Sequence, residues 1–149
     1  MFFLMQKLGF ISIFLYFFVF PAIGHSATKW SPQEEPAYWK SVRSRLTSNN
    51  LLANDFWTYL ESIKNNDVQA AEYLTAMHKQ SDTVIFRGAL ILRRPPSQTW
   101  TVRIHSMRAL CKQGTLQRQD SAGRWSDYSG RPDTAEKVKW ICSHPSLNA

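Results

Sequence analysis

The first half of the chain has apolar residues at helical spacing. In each of three stretches between residues 36 and 80, apolar residues recur at intervals of about three to four positions, which would place them as a stripe on one side of a helix. Short polar connections separate the three stretches. The stripes consist of Tyr38, Trp39, Val42 and Leu46, then Phe56, Tyr59, Leu60 and Ile63, then Val68, Ala71, Leu74 and Met77. This pattern predicts three amphipathic helices whose stripes face the protein core.

The first of these helices has recognisable start and stop signals. Ser31 and Glu34 have the spacing of a capping box, in which the serine side chain and the glutamate side chain each satisfy a backbone amide. Pro36 has no amide to donate, so the start is expected to shift to about Ala37. Residues 47–50 favour turns over helix interiors, and the helix is predicted to end there.

From residue 82 the pattern changes to that of strands. The stretch 83–92 is rich in β-branched residues and apolar on both faces apart from Arg87, which predicts a strand covered on two sides. The stretch 100–105 alternates apolar and polar residues, as a strand with one solvent-exposed face does. Between them, residues 93–98 include two prolines that cannot donate to a sheet ladder. Together these features predict an antiparallel hairpin.

A second hairpin is predicted directly after the first. Residues 109–111 and 115–118 flank Gly114, which suits a turn with a positive φ angle. Residues 120–134 are predicted to form a long loop or a short irregular strand. The apolar run Val138–Cys142 is predicted to be the strand that closes the sheet.

Residues 1–26 have the layout of a secretory signal peptide. Leu8 to Phe20 is a run of thirteen residues without a charge, and small residues follow it up to Ala27. This run is shorter than the about 18 residues that a spanning helix requires, so we expect cleavage and no membrane span afterwards. An uncleaved membrane anchor is the alternative. The expected product is one exported domain, residues 27–149, that is periplasmic, displayed at the cell surface or secreted.

The chain has two cysteines, Cys111 and Cys142. In an exported protein the default for two cysteines is one disulfide, and zinc binding or thiol catalysis is the less favoured use. In the chain-entropy model, closing a loop of this length stabilises the fold by about 3.5–4 kcal/mol. The predicted fold is therefore α+β: N-terminal helices over about 36–80 packed on a small antiparallel β-sheet over about 82–142, closed by one disulfide.

The chain is basic. It has 18 Lys and Arg residues against 11 Asp and Glu residues, a net charge of +7. Removal of residues 1–26 takes away Lys7 and no acidic residue, which leaves +6. A positive charge favours encounter with anionic partners and disfavours cationic ones, although it can also serve solubility alone.

Two groups of residues are candidates for ligand binding. Arginines around the first hairpin could grip phosphate, sulfate or carboxylate groups with paired hydrogen bonds. They are Arg87, Arg93, Arg94, Arg103 and Arg108. The second group lies in the long loop and combines arginine with aromatic side chains, as binding hot spots do. It consists of Arg124, Trp125, Tyr128 and Arg131. The alternatives are scattered, solvated arginines and a Trp125 that folds back over the sheet edge.

The sequence offers little for catalysis. The histidines after the predicted cleavage site are His78, His105 and His144. A small secreted basic hydrolase, such as a nuclease, could use two of them as general base and general acid, provided that His105 and a second histidine share one pocket. No motif for a nucleophile, a metal or a phosphate loop is found. The favoured function is a binding or interaction module that works without catalysis, cofactor or metal.

A third possible role is protein docking through the predicted helices. It requires an exposed apolar patch on the helical half, on the order of several hundred Å².

The C-terminal region resembles the C-terminal half of the bacterial surface-adhesin protein E family. The resemblance is carried by Gly123–Trp125 and Glu136–Cys142, with Ser106, Cys111 and Arg118 upstream. It implies an exported bacterial protein with an antiparallel sheet and a bridge between Cys111 and Cys142, which acts by binding. Adhesins of that family bind host matrix or plasma proteins, some of them from a lipid anchor. This chain has no cysteine near the predicted cleavage site, and its first half predicts helices where the family has strands.

The expected partners are therefore an envelope or extracellular protein, or an anionic polymer. Specific recognition of nucleic acid is not expected.

Overall fold

The computed structural model describes residues 29–128 and 133–145. The predicted signal peptide, residues 1–26, and the candidate Arg131 lie outside the described residues. Neither described helix has the length and the apolar character that a membrane crossing requires.

The described fold consists of one sheet and two helices. Helix α1 spans Ala37–Ser48 and helix α2 spans Thr134–Ser143. The strands are β1 (Thr58–Lys64), β2 (Gln69–Gln80), β3 (Thr83–Arg93), β4 (Thr101–Leu110), β5 (Thr115–Gln119) and β6 (Trp125–Asp127). They form an antiparallel sheet in the order β1-β2-β3-β4-β5-β6, so each strand pairs with its neighbour in sequence.

The two helices cover opposite faces of this sheet. The side that α1 covers, here called the α1 face, carries a buried cluster that includes Trp39, Val42, Leu46, Tyr73, Ala89 and Ile91. The opposite side, the α2 face, carries a second cluster that includes Leu74, Phe86, Met107, Leu116, Val138 and Ile141. Successive side chains of a strand point to opposite faces, and directly paired residues on neighbouring strands share a face. The register therefore assigns every strand residue to one of the two faces.

Several predictions of local structure are confirmed. Helix α1 begins at Ala37 and ends at Ser48, and it buries Trp39, Val42 and Leu46 of its predicted stripe, while Tyr38 is half-buried. Strand β3 pairs with β4 and β4 with β5, as the two predicted hairpins require. Gly114 has a φ angle of 67°. Cys111 and Cys142 form a disulfide with an S–S distance of 2.06 Å, which joins α2 to the end of β4.

The predicted capping box does not form. No side chain caps the start of α1, and Pro36 is extended with a ψ angle of 144°. Helical geometry therefore begins only after Pro36, and both Ser31 and Glu34 precede it. The neighbouring Glu35 pairs instead with Arg43, whose Nη2 lies 2.9 Å from the carboxylate.

The second and third predicted helices are wrong, because their residues form β1 and β2. All residues from Ala70 to Thr75 are buried, since the middle of β2 is covered on both faces. Two β-bulges also disturb the alternation, one between Tyr59 and Glu61 and one between Thr75 and His78. Each bulge adds a residue and shifts the phase of the side chains. Apolar residues consequently recur at helical spacing in segments that are strands.

The predicted closing strand, Val138–Cys142, is also wrong, because it belongs to α2. Lys137, Val138 and Ile141 are buried at the i, i+1 and i+4 spacing of one helix face. Residues 125–127 form the short strand β6 within the predicted loop. The α+β prediction therefore holds only in its coarse form. Helices and one disulfide accompany an antiparallel sheet, but the described residues are mostly β and the second helix follows the sheet.

Candidate binding surface

The basic set around the first hairpin does not form one patch. In the register of β3 and β4, Arg87 pairs with Ser106, Ile85 with Arg108 and Leu90 with Arg103. Because odd-numbered positions of β3 face α1, this register places Arg87 and Arg108 on the α1 face and Arg103 on the α2 face. Arg93 belongs to the α1 face by the same alternation. Arg94 follows β3 and is exposed.

The three arginines of the α1 face already have partners. Each guanidinium lies over a tryptophan ring, at 5.7 Å for Arg87, 4.6 Å for Arg93 and 4.5 Å for Arg108. Each also interacts with a polar side chain at 2.7–3.1 Å. The partners, in the same order, are Trp57 with Asp55, Trp100 with Gln69, and Trp125 with Gln117. These contacts engage each guanidinium group with neighbours on the α1 face, so the three arginines contribute to the packing of that face.

The residues of the predicted loop site are also separated. Arg124 is exposed and pairs with Asp120 at 3.0 Å. Trp125 is half-buried in the edge strand β6 and lies beneath Arg108. Tyr128 packs against the cluster of the α2 face, and its hydroxyl lies 3.4 Å from a carboxylate oxygen of Glu72. Trp125 and Tyr128 thus serve opposite faces of the sheet. The alternative, in which Trp125 covers the sheet edge, agrees with its position.

A different group of cationic side chains lies on the α2 face, near the point where β4 and β5 separate. Arg118 pairs with Met107, so it shares a face with Arg103 and His105. Neither Arg103 nor Arg118 has an ion pair or a side-chain hydrogen bond to any residue in the described ranges. Both are exposed. Their guanidinium groups are therefore available to a ligand.

The strand geometry creates a groove beside these arginines. Strand β5 pairs only with residues 107–110 of β4, so no described strand lies along the outer side of residues 101–105. Beyond β5, the chain turns at Gly123, which has a φ angle of 80°. The resulting groove has a volume of about 530 Å³ and is here called the β4 groove. It is lined by Ile104, His105, Ser106, Arg118, Gln119, Asp120 and Ser121.

The charges around the β4 groove leave it positive. Asp120 is its acidic lining residue, but its carboxylate accepts hydrogen bonds from the backbone amides of Ala122 and Arg124 and from the Arg124 guanidinium. These hydrogen bonds lower the pKa of Asp120. The pKa of His105 is lowered by burial and by the positive charges of Arg118 and Arg103. His105 is therefore neutral at neutral pH, while the two arginines remain charged.

A small cavity lies beneath α2, next to the groove. Its volume is about 50 Å³, and its lining is mostly apolar with Glu72, His105, Tyr128 and Lys137 as polar members. The ammonium of Lys137 lies 2.6 Å from Glu61 and 3.2 Å from Glu72. Burial acts to lower the pKa of Lys137, but the two carboxylates outweigh it and the pKa is raised. The lysine stays protonated, so it joins α2 to the sheet and is not a nucleophile.

The three histidines do not share a pocket. His78 pairs with Ile85 and faces α1, whereas His105 pairs with Gly88 and faces α2. The ring of His144 stacks on Trp140 at 4.6 Å. His105 is the histidine that lines both the groove and the cavity. Within residues 29–128 and 133–145, no group of three or more His, Cys, Asp or Glu side chains could hold a metal ion.

The apolar helical patch that the third possible role requires is absent from the described residues. The stripe of α1 is buried on the sheet, and the segment expected to continue the helical half is β-strand. Phe56 and Leu51 are 86% and 55% exposed, but both lie in the connection between α1 and β1.

Comparison of the chain with protein-family models, with curated proteins and with solved structures finds no match. The resemblance to the surface-adhesin protein E family stays a prediction.

Proposed function

We propose that this protein is an exported, non-catalytic binding module whose β4 groove holds anionic groups of an envelope or extracellular protein, or of an anionic polymer. One observation carries the proposal: Arg103 and Arg118 project from the same face of the sheet on neighbouring strands, and neither has an anionic partner in the described part of the chain. Arginine forks bind carboxylate, sulfate and phosphate groups with two parallel hydrogen bonds.

The overall charge supports this choice of partner. The chain carries a net charge of +7, which raises the rate of encounter with anionic molecules. The arginines of the α1 face contact tryptophan rings and polar side chains. In the β4 groove, by contrast, the unpaired guanidinium of Arg118 lines a space that is large enough to admit a ligand group. The histidine hydrolase has less support, since His105 has no second histidine beside it in the groove or the cavity.

Export is the other part of the proposal. Disulfides persist in oxidising compartments and are rare where thiols are kept reduced, so the Cys111–Cys142 bridge supports an extracytoplasmic location. The signal-peptide pattern of residues 1–26 and the sequence resemblance to exported surface adhesins point the same way.

Retention of the purified protein on heparin, eluted with rising salt, tests the proposed surface. The variant that carries both Arg103→Gln and Arg118→Gln should elute at clearly lower salt than the wild type. A matched control carries Lys40→Gln and Arg45→Gln, which remove the same charge from exposed positions of α1 on the other side of the sheet. Equal elution of the two variants would mean that diffuse charge, not the groove, retains the protein.

A further inference from the structure

We infer that the β4 groove accepts an extended acidic segment of a partner protein, which adds to the sheet as an antiparallel strand along residues 101–105. The inference rests on the proposed function, because it uses the same groove and arginines, and it specifies the partner. Peptides that add a strand to a sheet edge gain affinity from main-chain hydrogen bonds and specificity from their alternate side chains.

Two backbone hydrogen bonds, one beside the β3–β4 pair and one beside the β5–β6 pair, show which backbone groups of β4 are open. The Cys111 amide donates to the Asp82 carbonyl at 2.9 Å, which fixes the phase of the β3–β4 ladder. With that phase, residues 103 and 105 direct their N–H and C=O groups towards β3, and Val102 and Ile104 direct theirs to the open side. The Tyr128 amide donates to the Leu116 carbonyl at 2.8 Å, which gives the same phase through β5.

This edge is suited to pairing. Residues 101–105 pair with β3 without a bulge. The outer edge of β1 is interrupted by the bulge between Tyr59 and Glu61, and β6 has three residues. An added strand that runs antiparallel to β4 would continue the line of β5, and the β4 groove is the open space in that position. Among the unpaired edges of the described sheet, residues 101–105 of β4 thus form the longest stretch without a bulge along which another strand could pair.

The side chains on the two faces of the sheet beside this edge determine which side chains the partner segment should carry. Residues of the added strand that point to the α2 face would lie beside Arg103, His105 and Arg118, where carboxylates are favoured. Residues that point to the α1 face would lie beside Val102 and Ile104, the latter 39% exposed, where apolar side chains are favoured. The partner segment should therefore alternate acidic and apolar residues.

A second copy of this chain is less suited to the β4 groove than an acidic segment of another protein. Pairing of two β4 edges would bring the unpaired arginines of both copies together, and like charges near an edge are a recognised device against such association. Charge complementarity thus favours a partner segment that supplies carboxylates.

Amide hydrogen exchange of the full chain tests strand addition directly. The probe is an extended peptide in which glutamate alternates with valine. In the free protein the amides of Val102 and Ile104 should exchange rapidly, while those of Arg103 and His105 are protected by β3. On peptide binding, Val102 and Ile104 should become protected. Binding of the peptide without new protection at these two amides would overturn strand addition.

A peptide with the same sequence, N-methylated at alternate backbone positions, separates the inference from the proposed function. It keeps the carboxylates but loses edge hydrogen bonds, so its affinity should fall about tenfold. If the two peptides bind with equal affinity, and replacement of Arg103 and Arg118 lowers the affinity for both, the groove binds anions but does not accept an added strand. If replacement of these arginines changes neither the affinity for the peptides nor the retention on heparin, both strand addition and the proposed anion binding are contradicted.

The substitution Ile104→Pro adds a test from the protein side. It removes an amide that makes no hydrogen bond within the sheet, and proline is tolerated at such edge positions. It should reduce the affinity for the valine–glutamate peptide about tenfold. Unchanged peptide affinity in a folded Ile104→Pro variant would contradict the inference. If the variant does not fold, the N-methylated peptide decides. Self-association that rises with concentration and competes with the peptide would indicate a second copy as occupant instead.

Discussion

The ammonium of Lys137 in helix α2 lies 2.6 Å from the carboxylate of Glu61 in strand β1, so a residue near the end of the described chain is paired with one from the first strand. The lysine side chain is only 4% exposed, and Glu72 of β2 lies on its other side at 3.2 Å. This buried triad and the disulfide hold α2 on the sheet at two separate points.

Replacement of this lysine is expected to destabilise the protein strongly. Lys137→Met removes a buried cation that pairs with two carboxylates, and breaking a buried ion pair in this way costs about 3–5 kcal/mol. Urea denaturation would measure the loss. Lys139→Met is the matched control, because Lys139 lies on the exposed side of the same helix and pairs with Glu136 at 3.0 Å in solvent. Equal stability of the two variants would contradict a structural role for the triad.

Loss of the disulfide should have a comparable effect. The bridge closes a loop with a sequence separation of 31 residues. In the chain-entropy model its removal by Cys111→Ser with Cys142→Ser costs about 3.7 kcal/mol. Denaturation of the wild type with and without reductant, beside the double serine variant, would measure it. The reduced wild type and the variant should agree, and a loss well under about 1 kcal/mol would show that packing of α2 alone suffices.

His105 should make stability depend on pH in the mildly acidic range. Its pKa is lowered in the folded state by burial, Arg118 and Arg103, so the unfolded chain binds the proton more readily. The folded protein therefore keeps the stability that the neutral His105 provides at pH values above the unfolded-state pKa, which is about 6.5. It loses that contribution as the pH falls from this value through the lower folded-state pKa. Glu72, Tyr128, Lys137 and Asp120 also line the cavity or the groove beside it.

The comparison that isolates this residue is His105→Gln against the wild type, by denaturation at about pH 7.5 and about pH 5. The other ionisable groups are the same in both proteins, so the difference reports His105. The wild type should lose more stability than the variant between the two pH values. An equal loss would mean that the ring is free to take up a proton in the fold.

Trp125 should matter for stability and not for anion binding. Trp125→Ala removes the ring beneath Arg108, a contact worth on the order of 1 kcal/mol. Because this ring and Arg108 lie on the α1 face, heparin elution should change far less than on loss of Arg103 and Arg118. Elution at markedly lower salt from a folded Trp125→Ala variant would place the binding surface on the α1 face.

The sequence predicts those parts of the fold that depend on local patterns. The stripe of α1, the turn at Gly114, the two hairpins and the pairing of Cys111 with Cys142 all follow from neighbouring residues and from the count of cysteines. Strands β1 and β2 escape prediction because a bulge disturbs the alternation of each strand and the middle of β2 is buried on both faces, which together mimic a helical period. Helix α2 escapes because a short apolar run from Val138 has no period that separates helix from strand.

The candidate site depends on the register between β4 and β5 and on the position at which these two strands separate. Alternation along β4 does place Arg103 and His105 on one solvent-exposed face of the hairpin. Arg118 lies on the same face as Arg103 because it pairs with Met107. The edge of β4 is open along residues 101–105 because β5 pairs only with residues 107–110. Neither fact is encoded in a local motif. The same register separates Arg87, Arg93 and Arg108 from Arg103, which divides the basic set between two faces.

Anion binding in the β4 groove is tested most directly by an NMR titration of the protein with a short sulfated oligosaccharide. The guanidinium signals of Arg103 and Arg118 should shift together, with the backbone signals around His105, while those of Arg87, Arg93 and Arg108 should stay in place. Shifts confined to the α1 face, or spread evenly over the exposed arginines and lysines, would contradict it.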